Sequence, residues 1–236
     1  MSYFLTLPQL QAELKHTQAK NEILLVAGGK APDPDWLTTM SKNREIWCAD
    51  RGIDACFHNK IKAHHLVGDG DSATQDGWNW AIEQGIPIER FSTKKDLTDT
   101  QLALKKISES HPGAFVILSG VWGGRFDHAF SNIFSLAGAT DLGLSSCAAD
   151  EKEVMFILNG PEELHLTLQD RPHAISLLPL SKNCQPVSIR GVYWELDHVC
   201  LEQHMPYAIS NELVDENNKI QVSVENGCLG VYLQWE

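Results

Sequence analysis

Asp69 and Asp71 stand one residue apart in Gly68-Asp69-Gly70-Asp71-Ser72, directly after the apolar run His65-Leu66-Val67. Aspartate is disfavoured in strands, and two carboxylates this close repel each other. A cation relieves both costs. Hard oxygen ligands on a short, glycine-spaced turn suit Mg²⁺, which takes one or two protein carboxylates together with substrate phosphates. An isolated D-G-D is as readily a plain turn, so the other reactive groups of the chain decide between the two.

A second acidic pair follows in Lys94-Lys95-Asp96-Leu97-Thr98-Asp99, where a helix opens with Asp or Thr as its cap. Asp96 and Asp99, three residues apart, are expected on one face of that helix N-terminus. Capping and dipole compensation, together about 1–2 kcal/mol, account for one aspartate there; the second favours a cation. The two lysines are either solvated or counter phosphate charge. Further on, Ser119-Gly120-Val121-Trp122-Gly123-Gly124-Arg125 precedes a helix beginning near Phe126-Asp127-His128. Glycines before a helix N-terminus expose backbone N–H groups that cradle an anion, and an arginine adds a bidentate phosphate contact. Carboxylates for Mg²⁺ beside a Gly/Arg loop for polyphosphate make a phosphoryl-transfer arrangement. No G-x-x-x-x-G-K-[S/T] loop is present, so a P-loop kinase is excluded. The residues alone lead to a nucleotide-dependent transferase with an undetermined acceptor.

The elements that must hold these groups alternate. Compact apolar strands are expected at Glu22–Ala27, Glu45–Ala49, His64–Val67, Ile88–Phe91 and Ala114–Leu118, and helices at Asp35–Lys42, Gly52–Asn59, Gln75–Gln84, Leu97–Ser108 and Phe126–Ala137. That alternation predicts a parallel, Rossmann-like sheet, with ligands beyond the carboxyl ends of its strands. Asp50, Asp69/Asp71, Asp96/Asp99 and Gly120–Arg125 fall at four such ends. After Ala149-Asp150 the pattern changes to short runs between turn signals, Val154–Leu158, Leu164–Leu168, Ala174–Leu180, Val187–Ile189, Tyr207–Ser210, Lys219–Val224 and Leu229–Gln234, which predict an all-β sandwich or barrel. The expected organisation is a leader over residues 1–20 with a short helix around Leu7–His16, an α/β domain over 21–148 and a β-sandwich over 149–236.

With 19 basic against 31 acidic residues and a formal charge of −12, the chain is poorly suited to nucleic-acid backbones, yet the same field attracts a cationic or metal-bound small substrate. Six scattered cysteines without a C-x-x-C pair predict reduced thiols in a cytoplasmic protein, and His64-His65 reads as a pair at a strand edge. Neither a secretory or transit segment nor a run long enough to span a membrane is visible.

The motifs C-A-D-R-G at 48–52, G-D-G-D-S at 68–72, K-D-L-T-D at 95–99 and G-G-R-F-D-H at 123–128 resemble, in order, those of the thiamine pyrophosphokinases. Gly191-Val192-Tyr193-Trp194 and Ile209-Ser210-Asn211-Glu212 look like that family's C-terminal segments, so the resemblance spans residues 48–235. It implies Mg²⁺-dependent transfer of a pyrophosphoryl group from ATP to thiamine, with release of AMP. It further implies a homodimer that binds thiamine where one subunit's α/β domain meets the other's β domain. Carried onto this chain, it implies Asp69, Asp71, Asp96 and Asp99 as metal ligands, and Asp71, Asp99 and Arg125 as the catalytic set. Asp50, Arg51, Gly123, Gly124, Arg125, Asp127 and His128 would line the nucleotide. Asp127 would reach thiamine, with Trp194, Ser210 and Asn211 contributed by the partner subunit. Thiamine's cationic ring suits an acidic pocket with an aromatic wall, worth about 0.5–2 kcal/mol, although Trp194 is equally readable as a core tryptophan. Arg51 stands where the family has Gly, and Val121-Trp122 where it has small residues. These departures bear on the acceptor, leaving as alternatives a hydroxymethylpterin-type alcohol or a sensor that binds without turnover.

Overall fold

The computed structural model describes residues 2–92 and 96–236. It is a mixed α/β structure that divides into two compact units, Ala19–Asp150 and the combination of Met1–Gln18 with Glu151–Glu236. The chain opens with β1 (Tyr3–Leu7) and β2 (Leu10–Leu14), an antiparallel hairpin in which Tyr3 faces Leu14. The helix expected around Leu7–His16 is therefore replaced by strand. Leu5, Leu7, Leu10, Ala12 and Leu14 are all buried, and along each strand they alternate with more exposed residues, the two-residue period of a half-buried sheet. The leader expected over residues 1–20 is thus largely part of a sheet in the second unit.

In Ala19–Asp150 the order is β3 (Glu22–Val26), α1 (Pro34–Met40), β4 (Glu45–Ala49), α2 (Gly52–His58), β5 (His65–Gly68), α3 (Gln75–Glu83), β6 (Ile88–Arg90), α4 (Asp99–Ser110), β7 (Phe115–Ser119), α5 (Phe126–Ala137), a 3-10 turn and β8 (Ser145–Ala149). All pairings are parallel, in the spatial order β8-β7-β3-β4-β5-β6. β3 and β7 form the buried centre, from Ile23–Val26 and Phe115–Ser119, as befits strands covered on both faces. The chain builds outward from β3 through β6, then returns to β3's other side as β7. A topological switch point therefore lies between β3 and β7, where open parallel sheets bind ligands. β8 was not foreseen: Ser145-Ser146-Cys147-Ala148-Ala149 has no β-branched residue, and its place comes from pairing with β7.

The second unit continues with β9 (Glu153–Asn159), β10 (Glu162–Leu168), β11 (Ala174–Pro179), β12 (Asn183–Arg190), β13 (Leu196–Glu202), β14 (Lys219–Asn226) and β15 (Cys228–Gln234). One antiparallel sheet runs β1-β2-β10-β14-β12-β13, and β11, β15 and β9 pair antiparallel in another group. Tyr207–Ser210, expected as strand, is irregular, whereas Leu196–Glu202, not expected, is strand. The irregular β12–β13 register and the left-handed His198 (φ 52°) blur the alternation there. Among the described residues no helix is long and apolar enough to cross a membrane.

Candidate active site

The Asp-rich turn after β5 is shaped by the residue that ends β4. Asp50 is buried at 3% exposure and takes a left-handed φ of 42°, which aims its side chain back across the sheet edge. Its N–H donates to Val67 O at 2.8 Å. Its Oδ1 accepts the N–H of Gly70 at 2.8 Å, and its Oδ2 accepts the N–H of Ser72 at 3.1 Å together with the Ser72 hydroxyl. A carboxylate that accepts several hydrogen bonds is compensated for burial. Gly68 is required by this contact, since a Cβ there would lie 2.8 Å from Asp50 Oδ1 and 3.0 Å from its Cα.

Asp99 arrives from the far side as the first residue of α4. Thr98 is the N-cap: its hydroxyl accepts the Gln101 N–H at 3.3 Å while Gln101 Oε1 accepts the Thr98 N–H at 3.0 Å, a reciprocal capping box worth about 1 kcal/mol. Thr98 rather than Asp99 is therefore the cap, and Asp99 stands in the first turn of α4. One carboxylate oxygen each from Asp50, Asp69 and Asp99 lie within 4.8 Å of one another, Asp50 buried and the other two half-buried. This all-oxygen donor set fits Mg²⁺ and does not fit softer thiolate- or imidazole-seeking metals.

Of the four carboxylates expected around the metal, the structure brings Asp69 and Asp99 together and adds Asp50. Asp71 is exposed outside that group, its N–H donating to Asp69 Oδ1 at 3.2 Å. Asp96 is exposed and precedes the cap, so the shared helical face expected for Asp96 and Asp99 does not form, because α4 begins at Asp99. Lys94 and Lys95 lie outside the described residues.

The glycine-arginine loop sits at the switch point. Ala27 N–H donates to Ser119 O at 2.8 Å, Gly29 N–H to Gly120 O at 2.9 Å and Lys30 N–H to Trp122 O at 2.8 Å, zipping the loops after β3 and β7 together. The approach demands glycine, as a Cβ on Gly29 would be 2.3 Å from Gly120 O. Gly123 and Gly124 both have φ above 70°, and a Cβ on Gly123 would meet Lys30 Cβ at 2.7 Å. Lys30 is thus a basic residue beside the loop that sequence reasoning missed; its signal was Gly28-Gly29-Lys30 directly after a buried strand. Val121 is buried and Trp122 half-buried, so the bulkier pair is accommodated inward. Arg51 is exposed, its Cβ 2.8 Å from where a Cβ on Gly28 would stand.

Arg125, the N-cap of α5, makes no side-chain cap. Its guanidinium grips Asp127 bidentately, Nε to Oδ1 at 3.1 Å and a terminal nitrogen to Oδ2 at 2.5 Å. Asp127 Oδ1 also accepts the His128 N–H at 3.0 Å. The Arg125 hydrogen bond holds the Asp127 carboxyl below the usual range and raises Arg125 in turn. Arg125, expected to receive a phosphate, therefore holds an anion already, the side chain of Asp127.

In the second unit Trp194 and Asn211 are tied reciprocally: Trp194 N–H donates to Asn211 Oδ1 at 3.1 Å and Asn211 Nδ2 to Trp194 O at 2.8 Å. Ser210 takes a left-handed φ of 57°, and its N–H donates to Ser176 Oγ at 3.1 Å. Trp194 is 56% exposed and so is no core residue, and its ring meets Tyr193 edge-on at 4.7 Å. Tyr193, Met205, Tyr207 and Ile209 are exposed as well, and of these Met205 carries no expectation from the sequence.

Comparison with known proteins adds an independent line. The family described as "Thiamin pyrophosphokinase, catalytic domain" matches residues 37–145, and "Thiamin pyrophosphokinase, vitamin B1 binding domain" matches residues 163–229. The chain is 28% identical over 195 residues to the thiamine pyrophosphokinase of Bacillus subtilis, covering 81% of this chain and 89% of that one. It is 23% identical over 194 residues to thiamine pyrophosphokinase 1 of Oryza sativa, 73% of each chain. The crystal structure of the Bacillus subtilis protein superposes with a TM-score of 0.79 over 92% of this chain and all (100%) of that one, at 23% identity. The Candida albicans thiamin pyrophosphokinase does so with a TM-score of 0.77 over 91% and 89%, at 17% identity, a likeness of fold.

Proposed function

Because the chain belongs to the thiamine pyrophosphokinase family and is an enzyme of that kind, we propose that it transfers a pyrophosphoryl group from ATP to the hydroxyl of thiamine, in a Mg²⁺-dependent reaction yielding thiamine diphosphate and AMP. The observation that carries this reading is the convergence of Asp50, Asp69 and Asp99 within 4.8 Å at the carboxyl ends of parallel strands. Ala19–Asp150 is read as a Rossmann-like unit for nucleotide and metal, and Glu151–Glu236 as a β-sandwich for thiamine.

Asp69 and Asp99 would hold Mg²⁺, with Asp50 fixing the turn that carries Asp69. When bound, the ion supplies charge neutralisation on polyphosphate oxygens. Asp71, next along the turn, faces solvent and is placed to reach the cation through water or when the nucleotide is present. Arg125 exchanges its bidentate grip on Asp127 for a phosphate of ATP, which releases Asp127 toward the acceptor. The Gly123-Gly124 backbone and the first turn of α5 support the same anion. A loose phosphoryl-type transition state asks mainly for positioning and charge neutralisation, so no strong general base is needed. Trp194, with Ser210 and Asn211, offers an aromatic surface to the thiazolium cation. Their place on a second copy of the chain makes the enzyme a homodimer, consistent with the exposed aromatic side chains on α5 and around Trp194.

The test is AMP release from ATP and Mg²⁺ with and without thiamine. AMP formed only with thiamine is the expected result. AMP formed with a hydroxymethylpterin and not with thiamine would reassign the acceptor, and thiamine binding without AMP would make the protein a sensor.

A further inference from the structure

The 68–74 loop is held from behind by two carboxylates of the β4–α2 segment. Asp50 takes the N–H groups of Gly70 and Ser72, and Asp54, four residues later in α2, takes that of Thr74. Asp54 is 8% exposed. Its oxygens accept the Thr74 N–H at 3.2 and 3.1 Å, and its Oδ1 accepts the Thr74 hydroxyl at 2.6 Å. The same hydroxyl accepts the Gly77 N–H at 3.1 Å as the N-cap of α3. The fit is close, since a Cβ on Gly77 would stand 2.2 Å from Asp54 Oδ1. Alternate N–H groups along the loop thus point back to the β4–α2 segment, those of 70 and 72 to Asp50 and that of 74 to Asp54, and the loop is clamped at both ends. A buried carboxylate is costly unless hydrogen-bonded, and an apolar residue would pack α2 against α3 without that cost. What the carboxylate adds is a fixed position for Thr74, and with it for the turn that carries Asp69.

We propose that Asp54 is a positioning residue for cation binding: by clamping Thr74 it holds the loop so that Asp69 faces Asp99. The proposal rests on the reading above for the identity of the cation and the reaction, and not for the clamp itself. Outer partners that orient metal ligands typically change metal affinity 10–100-fold when removed.

The test compares the full-length protein with Asp54→Ala, Asp54→Asn, Thr74→Val and Thr74→Ser. Affinity for Mn²⁺, a paramagnetic stand-in for Mg²⁺, is read from the free-ion electron paramagnetic resonance signal with ATP present, beside thermal unfolding and the Mg²⁺ concentration that half-saturates AMP formation. Asp54→Ala should weaken Mn²⁺ binding roughly tenfold and raise half-saturating Mg²⁺ in parallel, leaving kcat at saturating Mg²⁺ within a few-fold. Thr74→Val should move both in the same direction, and Thr74→Ser, which keeps the hydroxyl, should match the parent. Should Asp54→Ala not fold, Asp54→Asn, which keeps one accepting oxygen, carries the measurement with a smaller shift of the same sign. Lowered melting temperature with unchanged Mn²⁺ affinity in these variants would overturn the proposal and leave Asp54 a helix-packing residue. If the parent makes no AMP, the reaction assignment fails, while the Mn²⁺ affinities still decide for or against the clamp. A parent that binds no Mn²⁺ overturns both.

Discussion

The buried carboxylate of Asp50 accepts the backbone N–H of Gly70 at 2.8 Å, joining the end of one parallel strand to the acidic turn after the next. With the Ser72 N–H on its other oxygen, Asp50 needs both oxygens as acceptors. Asp50→Asn turns one of them into a donor facing an N–H, which leaves buried groups unpaired at about 1–3 kcal/mol. The variant should melt several degrees lower and lose most AMP formation. An unchanged melting temperature would show that the turn keeps its shape without Asp50.

The carboxylate geometry separates aspartates that motif reading grouped together. Asp69 and Asp99 meet Asp50 within 4.8 Å, whereas Asp96 is exposed ahead of the Thr98 cap. Asp69→Asn and Asp99→Asn should each lower kcat/KM by about two orders of magnitude or more, as expected if each is the metal ligand proposed above. Asp96→Asn should stay within about twofold, as for surface substitutions generally. Asp71→Asn should fold normally and lose turnover, which would reveal a ligand that engages once ATP is bound. Steady-state kinetics at several Mg²⁺ concentrations checks all four, and an Asp96→Asn defect equal to that of Asp99→Asn would return Asp96 to the metal site.

How far the fold can be read from residues alone follows from where each element gets its stability. Glu45–Ala49 and Phe126–Ala137 were legible because their apolar pattern is local. Ser145–Ala149 was not, since small and polar residues became strand only by pairing with β7. The N-terminal hairpin was read as helix although Leu5, Leu7, Leu10, Ala12 and Leu14 carry its alternation; the tight turn at Pro8-Gln9 breaks that pattern into two short runs. In the site, Asp69 and Asp99 stand out by residue type and spacing. The part Asp50 plays depends on hydrogen bonds to residues 20 and 22 positions away, and that of Asp54 on one 20 away, which no local pattern records.

Dimer formation should involve the aromatic stripe of α5. Phe126, Phe130 and Phe134 recur every four residues and are 79%, 54% and 36% exposed, with ring centroids 6.0 and 4.7 Å apart along the helix. Aromatic side chains left in solvent at this spacing are costly for a monomer, and covering each recovers about 2 kcal/mol. Sedimentation at micromolar concentration should give a dimer for the parent. Phe130→Glu should shift it toward monomer and lower activity in proportion if, as proposed, each site takes its Trp194 segment from the partner. A monomeric parent with full activity would remove the shared site.

Acid sensitivity should centre on His65 at the opposite ends of the strands. Its ring stacks on Trp47 with centroids 4.1 Å apart and its Nε2 lies 3.6 Å from Glu45 Oε1, while His111 Nε2 lies 3.1 Å from Glu45 Oε2. Burial pulls the His65 pKa below its ordinary value; Glu45 and Glu89 oppose that, and His64 and His111 reinforce it. A group with a depressed folded-state pKa contributes stability that is complete above its unfolded value, about 6.5 for histidine, and is lost as pH falls through the folded value. The protein should therefore hold its melting temperature above about pH 7 and lose it progressively below about pH 6.5. His65→Phe keeps a ring on Trp47 and leaves Glu45 bonded to Trp47 Nε1 at 2.9 Å and to His111. The decline of its melting temperature between about pH 7 and pH 5 should be shallower than the parent's, because the unfolded chain no longer gains a proton at that position. Equal slopes would assign the acid response to groups other than His65.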